Sequence, residues 1–156
     1  MAADAWKIYH SFKAFLGEGY LDLDADEIYL ALFLSTSNCA TLTNDEYGDL
    51  TNQLANGNGY TTGGNLCSLV TWTDAVGTET FDMADVTFTA SGGTLTFRFG
   101  VLYINKTVTA PTGTYTKPLI GYTLFDNTPA DISLTTGNSL VVQISASGLL
   151  TLSGGS

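Results

Sequence analysis

Short apolar runs alternate with turn-forming residues along the second half of the chain. From Leu66 onward the turns are marked by Gly, Asn, Asp and Pro, and the runs between them are rich in β-branched and aromatic residues. Repeated short runs of this kind are typical of an antiparallel β-sandwich. The pattern predicts strands within residues 68–72, 86–89, 94–99, 119–125, 140–144 and 149–152.

The segment 94–99 shows the clearest alternation of polar and apolar positions. Successive side chains of a strand point to opposite faces, so every second residue shares one face. Arg98 falls on the polar face with Thr94 and Thr96. The opposite face, which we expect to point into the core, holds Leu95, Phe97 and Phe99.

The first half of the chain contains two candidate helices and one strand. Helical spacing of apolar residues predicts a helix over residues 4–16, capped by Asp4 and ended by Gly17. Its aromatic residues would pack on the sheet or on a neighbouring subunit, and the candidate oligomer or capsid contacts are Trp6, Tyr9, Phe12 and Phe15. The apolar run 28–34 has the length of a strand.

A second, short helix is predicted after the segment 43–46. Thr43 and Glu46 have the spacing of a capping box, and the helix would extend to about residue 54. A chain of 156 residues is long enough for one well-buried core. We therefore expect a single domain over residues 1–156, mainly β and jelly-roll-like. In it, an antiparallel β-sandwich over residues 27–152 is joined by an N-terminal helix and one further short helix.

The charge balance excludes several classes of partner. Five Lys and Arg stand against fifteen Asp and Glu, and the net charge is −10. Phosphate backbones and anionic membrane surfaces both attract basic proteins, so we expect no direct nucleic-acid or membrane binding. Charged residues make up 13% of the chain against about 25% in an average soluble domain. A surface of hydroxyls and amides suits packing against other proteins.

The candidate chemical groups do not assemble into a catalytic or metal-binding motif. The alternating aspartates of the segment 22–26 imitate the start of a calcium loop, but Glu27 and Phe33 stand where that loop needs Gly and Glu. His10 is the single histidine, and Cys39 and Cys67 lack the further donors of a zinc site. We expect two buried free thiols, or a disulfide if the fold brings them together. No enzyme activity, metal or cofactor is expected.

The start of the chain lacks a positively charged segment followed by an apolar block, and no stretch approaches about 18 uninterrupted apolar residues. We therefore expect the protein to fold in a cytoplasm without crossing a membrane.

Much of the chain resembles a group of small virion structural proteins of tailed bacteriophages that decorate or cement the capsid. The resemblance lies in residues 9–13, 19–26, 28–32, 55–64, 81–88, 101–105, 117–120 and 149–152. It implies a β-rich protein, assembled as a homotrimer, that binds the major capsid protein on the virion surface. A tail or head-fibre component, and a carbohydrate-binding β-sandwich using an exposed Trp or Tyr, remain open.

Overall fold

The computed structural model describes residues 3–128, 130–145 and 147–153. The chain is 42% strand and 7% helix, and the predicted mainly-β, sandwich-like fold is confirmed. All strand pairs of the described residues are antiparallel. The strands are β1 (Lys7–Ile8), β2 (Ile28–Phe33), β3 (Asn65–Leu66), β4 (Thr71–Asp74), β5 (Thr78–Asp82), β6 (Val86–Thr89), β7 (Leu95–Phe97), β8 (Phe99–Ile104), β9 (Thr107–Ala110), β10 (Gly113–Thr116), β11 (Leu119–Leu124), β12 (Ile132–Leu134), β13 (Ser139–Val142) and β14 (Leu150–Ser153).

A five-stranded sheet in the order β1-β11-β8-β2-β3 divides the interior into two cores. Its central strands β2, β8 and β11 are buried along almost their whole length because both of their faces are covered. Along β2, Leu30 and Leu32 point into the first core, while Ala31 and Phe33 point into the second. The period-2 geometry of the strand thus distributes one apolar run over two cores.

The larger core lies between this sheet, the helix α1 (His10–Gly17) and four smaller sheets. The smaller sheets pair β4 with β5 and β14, β6 with β13, β7 with β12, and β9 with β10. Each contributes alternate residues to the core, as in β6, where Val86 and Phe88 are buried between exposed threonines. Burial of each such apolar side chain stabilises the fold by about 1.5–3 kcal/mol.

The smaller core is covered by the irregular segment between β2 and β3. Cys39 is fully buried there, and Tyr47 lies edge-on to Phe33 with ring centroids 5.9 Å apart. Tyr47 also packs against Tyr103 at 4.4 Å, and the ammonium group of Lys117 lies 5.5 Å from the Tyr47 ring centroid. The two packed tyrosines and this cation close the outer side of the central sheet.

The first helix begins later than the sequence predicts. Residues 4–16 were expected to be helical, whereas α1 starts at His10 and the preceding residues form β1. Lys7 and Ile8 pair with Tyr122 and Gly121 of β11. Pairing with a strand more than a hundred residues away outweighs the local helical pattern, and Asp4 does not cap a helix.

The second helix is shorter than predicted and is capped by other residues. Only Tyr47–Asp49 is helical, as one 3₁₀ turn, and the expected continuation to residue 54 is wrong. The capping box joins Glu46 to Asp49 instead of Thr43 to Glu46. The Glu46 carboxylate also accepts a hydrogen bond from the backbone N–H of Thr116. This bond ties the turn to β10, and the backbone becomes extended at Leu50 directly after it.

Candidate functional surfaces

The four aromatic residues named as candidate contacts have different surroundings. Tyr9 and Phe12 are fully buried and Phe15 is 4% exposed. Phe12 and Phe15 pack in the larger core, and Tyr9 lies in the smaller core. These side chains therefore pack on the sheet, which is one of the two positions expected for them. The chain itself encloses these three side chains, and only Trp6 keeps a surface that a partner can reach.

Trp6 lines an open groove of about 490 Å³ between the N-terminal segment, the end of β11 and β13. The walls are mostly apolar and include Phe125, Leu140, Val142 and Leu149. The segment before β1 is fixed in place because Asp4 donates its backbone N–H to the Leu124 carbonyl at 2.8 Å. The groove is therefore a formed feature of the fold, of the size and lining common in binding sites.

Trp72 lines a second, smaller cleft of about 260 Å³ together with Asp22 and Asp24. The Trp72 ring is half-buried against Phe81, with ring centroids 6.4 Å apart. The Asp24 carboxylate accepts the Trp72 backbone N–H and so holds the acidic turn against β4. A partly exposed indole beside carboxylates offers a stacking face and hydrogen-bond acceptors.

The acidic segment before β2 is a structural turn. The Asp22 backbone N–H donates to the Asp26 carboxylate at 2.9 Å, and Lys106 donates to the same carboxylate at 2.8 Å. Asp24 donates its backbone N–H to Asp22. Among the residues that the structure describes, no group of three or more His, Cys, Asp or Glu residues is arranged to hold a metal ion.

Both cysteines are buried free thiols, so the first of the two expectations is confirmed and the alternative, a disulfide, is not formed. Burial raises the pKa of the Cys39 and Cys67 thiols to about 12, because a thiolate loses its hydration in an apolar interior. Nucleophilic chemistry needs the thiolate, so neither residue is activated for it. His10 lies exposed at the start of α1.

The exposed faces of the four smaller sheets are lined by hydroxyl groups. Threonine or serine residues lie directly opposite each other in all four sheets, and in two of these pairs the hydroxyls are within hydrogen-bond distance. We call these surfaces the hydroxyl faces. The opposed pairs include Thr73 with Thr80, Thr89 with Ser139, Thr96 with Ser133, and Thr109 with Thr114.

The turn between β4 and β5 lies at Gly77, where the sequence predicts a turn, but it carries an exposed valine, Val76, that the sequence analysis did not single out. Ala75 and Thr78 exchange backbone hydrogen bonds of 3.0 and 3.2 Å across a two-residue loop, Val76–Gly77. Val76 is fully exposed, and Asp74 lies directly opposite Glu79 at the base of the loop. We call residues 74–79 the hairpin tip. A valine directly before the glycine of a turn is the signal that could have revealed it.

Most basic side chains are engaged within the described fold. Lys7 pairs with Asp4 at 3.0 Å, Arg98 with Asp131 at 2.8 Å, and Lys106 with Asp26 at 2.8 Å. The surface field is consequently dominated by carboxylates. The described part of the chain contains no helix that is both long and apolar enough to cross a membrane.

Comparison with protein families, with curated proteins and with solved structures finds no match to this chain.

Proposed function

We propose that this chain is a structural protein of a tailed-phage virion that binds the outer surface of the capsid as a decoration protein. It would do so as a homo-oligomer, expected to be a trimer, with the major capsid protein as its partner. Its work is to bridge neighbouring capsid subunits, and it carries out no reaction. It is made in the host cytoplasm and ends on the virion surface.

The hydroxyl faces are the observation that carries this proposal. Threonine and serine have short side chains that lose little rotamer entropy on burial and cost less to desolvate than lysine or glutamate. The cores of protein interfaces are depleted in lysine, aspartate and glutamate. A fold that exposes strands with opposed hydroxyl pairs, such as Thr109 with Thr114, can cover several of its faces with other proteins.

The groove at Trp6 supplies an apolar contact to such an assembly. The half-buried indole and Leu140 leave apolar surface open to a partner side chain. Buried tryptophans contribute strongly to binding when an interface surrounds them. Several weak contacts per subunit, repeated in a trimer, would give high overall affinity by avidity.

The copy number of the chain in purified virions tests the proposal. A decoration protein covers the shell and should be present in numbers comparable to the major capsid protein, measured by quantitative gel densitometry. A tail or head-fibre component would be present in far fewer copies. A low copy number would therefore contradict decoration and favour this second virion role. Absence of the chain from purified particles would contradict both.

The cleft at Trp72 favours a second candidate, a carbohydrate-binding module. Sugars are recognised by aromatic stacking and by carboxylates, and Trp72 offers both beside Asp22 and Asp24. Under this candidate, the wild type binds glycans on an array and Trp72→Ala abolishes binding. Trp6→Ala is the matched control, since it changes a tryptophan at a different surface.

A further inference from the structure

The hairpin tip holds a valine in a conformation that valine disfavours. Val76 has φ +54° and Gly77 has φ +78°, the backbone of a two-residue hairpin turn with both central residues left-handed. Asn, Asp and Gly are preferred at the first of these positions because a β-branched side chain crowds its own backbone there. Gly77 donates its N–H to the Asp74 carboxylate at 3.1 Å, which holds the turn.

Nothing within the described fold compensates for this valine. Its exposed fraction is 103%, so the side chain gains no burial in return for its strained backbone. Strain of this kind costs about 1–3 kcal/mol. An apolar side chain at the apex of a hydrogen-bonded turn is suited to insertion into a pocket of another molecule.

The base of the hairpin tip is acidic. Asp74 and Glu79 are cross-strand neighbours, and Leu152 lies opposite Glu79 on the other side of β5 with 47% of its surface exposed. The ion pairs of the described chain involve other carboxylates. Two like charges placed opposite each other destabilise a sheet, and a cation between them would relieve this.

We propose that the hairpin tip docks by inserting Val76 into an apolar pocket whose rim carries lysine or arginine, on a protein other than this one. Asp74 and Glu79 would meet the basic rim. The inference rests on the proposed function, under which the pocket belongs to the capsid protein.

A second copy of this chain is a poor source of the basic rim. It has five basic residues, of which Lys7, Arg98 and Lys106 are paired with carboxylates. Lys117 lies over two tyrosine rings. Lys13 alone remains, on the exposed side of α1. Charge complementarity therefore points to a different, more basic partner surface.

The variant Val76→Asn separates docking from folding. Asparagine before glycine suits this turn, so the variant should melt about 2–4 °C higher than the wild type. It removes the apolar apex, so its affinity for the partner should fall about tenfold or more. The probe is the capsid shell of the phage that encodes the chain, prepared without it, with binding measured by co-sedimentation.

Leu69→Asn is the matched control. Leu69 also has a positive φ, +50°, and is 80% exposed, but it lies outside the hairpin tip. This control should gain thermal stability and keep full affinity. A second variant, Asp74→Asn with Glu79→Gln, removes both negative charges, so its affinity for the shell should fall severalfold and depend less on salt. The turn itself should persist, because the amide oxygen of residue 74 still accepts the Gly77 N–H.

Three outcomes separate the alternatives. Wild-type binding that Val76→Asn weakens and Leu69→Asn preserves supports the inference. Wild-type binding that Val76→Asn leaves unchanged, or that Leu69→Asn weakens equally, overturns it while leaving the proposed function intact. If the wild type does not bind the shells, the proposed function fails and the assignment of this partner fails with it.

Discussion

The Tyr9 hydroxyl donates a hydrogen bond of 2.7 Å to the backbone carbonyl of Cys39. Tyr9 stands directly before α1, and Cys39 belongs to the segment that covers the smaller core. Both residues are fully buried, so this bond ties the start of the helix to that cover inside the protein.

Tyr9→Phe should lower the free energy of unfolding by about 1–3 kcal/mol, because it leaves the buried Cys39 carbonyl without its donor. Urea unfolding followed by fluorescence measures the change. Tyr115→Phe is the control, since its hydroxyl bonds to the exposed Thr112 side chain and its loss should have little effect. Equal stabilities of Tyr9→Phe and the wild type would contradict the assigned role.

Phe12→Ala and Trp6→Ala should change different properties of the protein, the first its stability and the second its association. Phe12 is fully buried in the larger core, so its truncation should cost about 3–5 kcal/mol of stability. Trp6 is half-buried in the groove, and its truncation should cost less while weakening self-association or docking. Thermal unfolding and sedimentation equilibrium on each variant make the comparison. Unchanged assembly of a folded Trp6→Ala would remove the groove from the interface.

Gly64→Ala should destabilise the fold severely. Gly64 has φ +83°, and a Cβ atom there would collide with the Leu30 backbone in the central sheet. We expect a loss above about 3 kcal/mol, combining left-handed strain with the clash. Gly92→Ala is the control: its φ is +80° with open space around it, so it should lose only about 1 kcal/mol. Chemical denaturation of both variants tests this pair.

Stability should fall at alkaline pH. Burial raises the pKa of Cys39 and Cys67 from 9.0 to about 12, and burial together with neighbouring groups raises that of Tyr103 from 10.0 to about 12. The native state therefore keeps protons that the unfolded state releases, and its stabilisation is present below pH 9 and lost between about pH 9 and 12. Melting temperatures across this range measure the effect.

The thiols provide an independent check of the same burial. They should react with a disulfide reagent at pH 8 only after denaturation. Rapid reaction of two thiols in the native protein would contradict their buried position.

Strands with a strict local alternation were predictable from the sequence. The segment Val86–Thr89 was predicted at its observed bounds, and Leu95 and Phe97 are buried while Thr96 is exposed, as expected. These features depend only on neighbouring residues, because the two faces of a strand differ at every step. The Arg98 side chain also lies on the polar side, where it pairs with Asp131.

Elements that depend on distant partners were missed. The predicted helix start at residue 4 is wrong because β1 pairs with β11. The strands β9 and β10, which pair only with each other, were not predicted. The sequence left two positions open for Tyr9, Phe12 and Phe15, the sheet or a neighbouring subunit, and the structure places all three in the cores. Sequence spacing could not decide between them, because the sheet that covers these side chains is assembled from the whole chain. The turn at Gly77 was predictable, but the left-handed backbone of Val76 was not, because backbone dihedral angles are not visible in composition.

The first and last described residues lie beside different surfaces. Ala3, Asp4 and Trp6 line the groove, whereas Ser153, at the far end of β14, pairs with Thr78 in the hairpin tip. A bulky fusion ahead of Ala3 would therefore obstruct the groove, and one after Ser153 would crowd the hairpin tip. The position of an affinity tag thus decides which contact a pull-down can detect. With a cleavable tag at each end, either surface can be blocked and then exposed again by cleavage.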